Sequence, residues 1–144
     1  MTVDRLTPGY EPSFDIDLEV GRQGELYVVD VAQMLADGTG RVEVKVDEQA
    51  ARTGNVYVEY QCLRGGEWRP SGIATTSAHL WAFVIAGRVM VVAPTECVRS
   101  VARSHFPSRR KQMDRGSHPT RGLVIPTQTF IHEVIQATTE RAAA

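Results

Sequence analysis

The stretch RVEVKVDEQAARTGNVYVEYQ, Arg41 to Gln61, decides the reading of this chain. Arg41–Asp47 and Asn55–Gln61 both alternate apolar and polar residues, and a polar connection ending in Thr53-Gly54-Asn55 separates them. That pattern predicts two strands of a hairpin with a long loop. Side chains alternate along a strand, so Val42, Val44 and Val46 are expected on a core-facing side and Glu43, Lys45 and Asp47 on the other. Antiparallel pairing about the middle of the connection sets Glu43 opposite Glu59 and Lys45 opposite Tyr57. Two carboxylates and an ammonium would then share one face.

Carboxylates directly across a ladder repel each other. A divalent cation reverses that sign, because magnesium takes one or two carboxylates together with water and phosphate oxygens. A lysine two residues along can hold water or a phosphate oxygen beside it. The plain alternative is a half-solvated strand on which Lys45 neutralises its neighbours.

Beyond this stretch, a run of residues resembles the PD-(D/E)XK nuclease superfamily, in particular its small phage-encoded and Holliday-junction-resolvase-like members. The resemblance is carried by Glu25 on an acidic helix, Glu43-Val-Lys45, Thr53-Gly-Asn55, the strand with Glu59, Ser71-Gly-Ile73 and Thr75-Thr-Ser-Ala78. It covers about a third of the chain, from Glu25 to Ala78. It implies an α+β fold with a restriction-endonuclease-like core: one mixed central sheet flanked by helices, in the order α-β-β-β-α-β, with helices at the C-terminal end. It also implies magnesium-dependent cleavage of DNA phosphodiesters, with manganese able to substitute, by one acid on the second core strand and an acid-x-lysine on the third.

No Pro-Asp precedes Glu43 at the superfamily's usual distance, and two assignments stay open. Asp37 is the first metal acid and Glu43-x-Lys45 the third-strand motif, or Glu43 is the first acid and Glu59-Tyr60-Gln61 the motif, with Gln61 in the lysine position. The hairpin register favours the second, making Glu43, Lys45, Glu59, Glu25 and Gln61 the catalytic candidates and Glu43, Glu59 and Asp37 the metal candidates. The superfamily carries an aspartate near the position of His79, which is expected here as a structural histidine beside Trp81.

A chain of 144 residues, 42% of them hydrophobic, suffices for one domain with a real core. We expect an irregular arm at 1–14 and a single domain over 15–144. No apolar run is long enough to span a membrane, and Met-Thr-Val-Asp-Arg-Leu-Thr-Pro lacks the apolar centre of a signal peptide. The expected location is the cytoplasm, that of the host if the protein is phage-encoded. Cys62 and Cys97 lack zinc-type spacing and are expected as reduced thiols.

The net charge of −1 hides an asymmetry: 12 of the 17 acids fall within residues 1–59, whereas residues 97–122 hold seven Arg or Lys against Asp114 alone. An acidic half that collects metal beside a basic segment that contacts phosphates fits this distribution. Arg99, Arg103, Arg109, Arg110 and Lys111 are the DNA-binding candidates.

In chain order, a helix is expected from Asp15 or Asp17 to Gly38, regular from about Arg22 because Gly21 and Gly24 weaken its start. Residues 65–72 read as a loop. Thr75 or Thr76 is expected to cap a short helix, followed by two buried strands turning at Gly87-Arg88. Pro94–Arg103 is expected as a helix capped by Thr95, with Val98, Val101 and Ala102 inward. Residues 104–122 read as a basic mobile segment and 123–125 as a short strand. The last helix has an apolar stripe of Phe130, Ile131, Val134 and Ile135. The expectation is a DNA endonuclease, with branched or recombination intermediates as the implied substrates and a homodimer as an arrangement common among such relatives. The alternative is a nuclease-fold module that binds DNA or protein without cleaving.

Overall fold

The computed structural model describes residues 12–114 and 116–144, with side chains from Val20 onward. It divides into two compact units, Met1–Gly40 and Arg41–Ala144. Most of the expected arm at 1–14 lies outside the described residues.

The first unit is built on one helix, α1 (Pro12–Asp37). Proline suits a first helical turn, where its missing N–H leaves no bond unmade. Gly21 and Gly24 do not interrupt the helix, which is therefore regular earlier than expected. Gly38 at φ +65° ends it, and the Gly40 N–H donates back to the Met34 carbonyl at 3.3 Å. Leu26, Tyr27, Val28, Val29 and Leu35 are exposed on it.

The second unit runs β1 (Val42–Asp47), α2 (Ala50–Thr53), β2 (Asn55–Arg64), β3 (Glu67–Pro70), a 3-10 turn at Gly72–Ala74, β4 (Leu80–Ile85), β5 (Val89–Pro94), α3 (Thr95–His105), β6 (Arg110–Met113), β7 (Thr120–Pro126) and α4 (Thr127–Ala143). The class is α+β. The strands form two sheets, β1-β4-β5 and β3-β2-β7-β6, in place of the one central sheet expected.

The hairpin of β1 with β2 is not formed. β1 pairs parallel with β4, Glu43 beside Trp81 and Lys45 beside Phe83, while β2 pairs antiparallel with β7 on one side and β3 on the other. The connection explains the parting. Asp47 Oδ1 accepts from the Ala50 N–H at 2.9 Å, starting the single turn of α2, and Gly54 at φ +71° stops it. Asp47 Oδ2 accepts from the Tyr57 N–H at 3.1 Å, tying β2 to the end of β1 without ladder pairing.

The alternation of β1 holds but its polarity is reversed. Val44 and Val46 are exposed, at 55% and 65%, while Glu43 and Lys45 lie on the face that carries Trp81 and Phe83 into the core. An edge strand can do this because a lysine stem covers apolar surface while its ammonium reaches water. The Lys45 ammonium lies 5.4 Å from the centroid of the Trp81 ring.

The core of this unit joins Val56 and Val58 of β2, Trp81 and Phe83 of β4, Val98 and Val101 of α3, Leu123 and Ile125 of β7, and Phe130 and Val134 of α4. Phe83 and Phe130 meet edge to face, 5.2 Å between centroids. His105 Nε2 meets Glu133 Oε2 at 2.5 Å, linking α3 to α4. Val98, Val101 and Ala102 point inward as expected, whereas Ile135 is exposed and Phe130, Ile131 and Val134 alone carry the α4 stripe. Thr95 is not a cap: it lies within the first turn, its hydroxyl buried without a hydrogen-bond partner.

Two expected loops contain strands, and one expected helix does not form. Gly65 and Gly66, both at positive φ, turn β2 into β3, so residues 67–70 form a strand. The helix expected after Thr75 is replaced by the 3-10 turn before it. The basic segment contains β6, held along β7 from Arg110↔Leu123 to Met113↔Thr120. The turn between β4 and β5 uses Ala86 and Gly87 at positive φ, with the Arg88 N–H donating to Ile85 at 3.1 Å. Cys62 and Cys97 are free and buried. Among the described residues no helix is long and apolar enough to cross a membrane.

Candidate functional site

Residues two apart on a strand share a face, and on β1 this sets Glu43 beside Lys45, whose Nζ lies 2.6 Å from Glu43 Oε1. Both side chains are about one-third exposed. Lys45 also opens into a cleft of about 580 Å³, lined in addition by Asp47, Tyr57, Glu59, Lys111 and Met113. Glu43 lines another cleft with Arg41 and the Thr75–Ala78 segment. Lys45 therefore links Glu43 to the cleft that holds Glu59, although β1 and β2 belong to different sheets.

Glu59 is fixed by its own surroundings. The Ser71 hydroxyl donates to Glu59 Oε1 at 2.6 Å, and the Ser71 N–H donates to the Tyr60 carbonyl at 2.9 Å. Gly72 follows at φ +53°, where an added Cβ would stand 2.4 Å from the Glu59 carbonyl oxygen. Only glycine permits this approach. Ser71-Gly72 thus packs on Glu59, and Thr75–Ala78 shares a cleft with Glu43.

Across the sheet, Glu59, Gly122 and Lys111 occupy one rung. The bare Gly122 leaves room for the Tyr57 ring, which a Cβ there would meet at 2.4 Å. Tyr57 Oη and Thr120 Oγ1 are 3.0 Å apart. Burial pushes the Tyr57 phenol above its ordinary 10.0; the Thr120 hydrogen bond opposes this and the nearby Glu59 charge adds to it. Sequence reading set Tyr57 opposite Lys45 but gave it no role, because its partner Thr120 lies 63 residues along the chain.

Gln61 does not join Glu59. The ladder shifts between Glu59 and Gln61, so these pair with successive residues, Gly122 and Arg121, and therefore face opposite sides of the sheet. The extra residue cancels the period-2 argument that put Gln61 in a lysine position. It places Gln61 in a second cleft, with Tyr60, Phe106, Arg110 and Arg121.

Glu25 and Asp37 stand on α1, in the first unit, where Gln33 Nε2 donates to Asp37 Oδ1 at 2.8 Å. His79 Nδ1 accepts from the Arg41 N–H at 3.3 Å and bridges the starts of β1 and β4, the structural role expected of it.

Of the basic candidates, Arg99 is committed elsewhere. Its Nε donates to the Ile73 carbonyl at 3.2 Å, its Nη2 to the Thr76 carbonyl at 3.0 Å, and its Nη1 pairs with Glu96. It clamps the Ser71–Ala78 segment to α3. Arg103, Arg109, Arg110 and Lys111 are exposed. Arg110 sits over the Phe106 ring at 5.2 Å, and Arg121, missed by sequence reading, over Trp68 at 3.9 Å. No local pattern joins those two residues, since β3 and β7 meet only through β2.

Among the described residues no group of three or more His, Cys, Asp or Glu gathers. Magnesium shared with a phosphate needs only one or two carboxylates, and Glu43 and Glu59 are hard oxygen donors of the right type. Glu43 and Glu59 line separate clefts, with Lys45 between them. Comparison with family models, with curated proteins and with solved structures gives no match for this chain.

Proposed function

We propose that the protein is a magnesium-dependent DNA endonuclease with Lys45 at its centre. The observation that supports this best is that Lys45 both bonds Glu43 at 2.6 Å and opens into the cleft shared with Glu59 and Lys111.

Glu43 and Glu59 would hold the metal, which supplies Lewis acidity toward a phosphate oxygen. Lys45 directs its ammonium toward the cleft, where it orients the attacking water and offsets negative charge as the phosphorus–oxygen bond breaks. Glu43 keeps that ammonium in place and Ser71 keeps the Glu59 carboxylate in place. Lys111 contacts a backbone phosphate, which positions DNA without reading sequence. Such an enzyme would act in the cytoplasm.

A second reading, a binding module that does not cut, is favoured by the same ion pair, because Glu43 and Lys45 neutralise each other. Incubation with nicked, linear, single-stranded and four-way-junction DNA, with magnesium or manganese, separates the two. Lys45→Met keeps the stem over Trp81 and removes the charge. It is expected to lower cleavage by roughly two to four orders of magnitude with DNA binding little changed. Absence of cleavage of all four DNA forms by the parent protein would retire the enzyme reading in favour of the binder.

A further inference from the structure

On the opposite face of the β3-β2-β7-β6 sheet from Glu59, a cleft of about 650 Å³ lies where α3 ends. Its walls are Tyr60, Phe106, Arg110, Arg121, the two amides Gln61 and Gln112, and Lys111, which also lines the Glu59 cleft; no acid lines it. Gln61, Arg121 and Gln112 form one rung across β2, β7 and β6. Phe106 is half exposed and stands edge-on to Tyr60 at 5.6 Å, with Arg110 over its ring at 5.2 Å. Arg121 reaches from the same rung to lie over Trp68 at 3.9 Å.

We infer that this cleft binds an unpaired nucleotide, so that the DNA taken by the protein carries a single-stranded segment. A half-exposed Phe106 ring with the Arg110 guanidinium over it, and Arg121 in the same lining, offers a stacking surface that every base can use. Two carboxamides present both donors and acceptors to a base edge. Arg110, Arg121 and Lys111 supply the charge that a sugar-phosphate backbone needs. The size matches one small ligand. A base paired inside a duplex has neither face free, so the cleft selects for ends, gaps and branch points. The inference rests on the DNA reading above, but not on cleavage.

Fluorescence anisotropy without divalent metal tests it, using a short labelled single strand and a blunt duplex of the same sequence. The single strand is expected to bind tighter. Phe106→Ala should weaken it about five- to hundredfold, the range for losing one stacked base, and leave the duplex nearly unchanged. Arg121→Lys keeps the charge and loses the plane, so affinity for the single strand should fall with an unchanged salt slope. Equal binding of both DNA forms, or full single-strand affinity in both variants, overturns the inference. Tighter binding of the same sequence as RNA overturns the choice of DNA. Because cleavage is not measured, failure of the endonuclease reading remains a separate result.

Discussion

Lys45 carries its charge over the edge of the core, one side held by Glu43 and the other open to the cleft. The spacing of Glu43 and Lys45 made their shared face legible, because a strand repeats every two residues. Their meeting with Glu59 was expected through a hairpin that does not exist; Lys45 alone shares a cleft with Glu59, while Glu43 lines another. Gln61 was beyond such reasoning, since one bulged residue changes its face. Tyr57 gives this neighbourhood a pH signature. Its phenol is raised by burial, so the folded chain holds that proton where the unfolded chain has lost it. The contribution to stability is complete below the unfolded value near 10 and is lost as pH climbs through the folded one. Tyr57→Phe cannot ionise and should lose less stability than the parent between about pH 8 and about pH 11. At neutral pH it should cost about 1 kcal/mol for the missing Thr120 bond. Urea unfolding midpoints at the two pH values check both statements; equal alkaline losses in parent and variant would contradict the role given to Tyr57.

Among the elements, helices were read more accurately than strand partners. α3 and α4 announce themselves through apolar spacing that depends only on neighbours along the chain. Strand pairing depends on residues far away: β1 finds β4, and β2 finds β7, with several elements between. The reversed polarity of β1 was hidden for the same reason, because only the identity of its partner tells which face meets the core. α1 offers a test of local propensity. Gly21 and Gly24 lie within the helix and a Cβ at either would meet nothing within 4 Å. Alanine at each should stabilise the helix by about 0.5–1 kcal/mol, seen as added helical signal in far-UV circular dichroism. No gain would mean that the glycines serve something other than helix formation.

At the scale of the molecule, charge was legible and sheet architecture was not. Residues 1–40 hold two Arg against eight acids, and residues 41–144 hold fourteen Lys and Arg against nine acids. The division into units falls at that same boundary. The α+β class followed from the mixture of periods, but no periodicity says that seven strands will form two sheets.

The parallel pairing of β1 with β4 also sets an order in time. β4 and β5 turn back on each other through three residues, Ala86 to Arg88, and β2 and β3 through two, Gly65-Gly66. These hairpins close short loops, whereas β1 must wait until the chain as far as Leu80 has been laid down and returned beside it. Lys45 is therefore expected to reach its place beside Trp81 after these hairpins have closed. Pulse-labelled hydrogen exchange should find the β4 and β5 amides protected before those of β1; protection of β1 first would reverse that sequence. A chain that completes its charged centre only after its frame exists carries no assembled cleft while it is still incompletely folded.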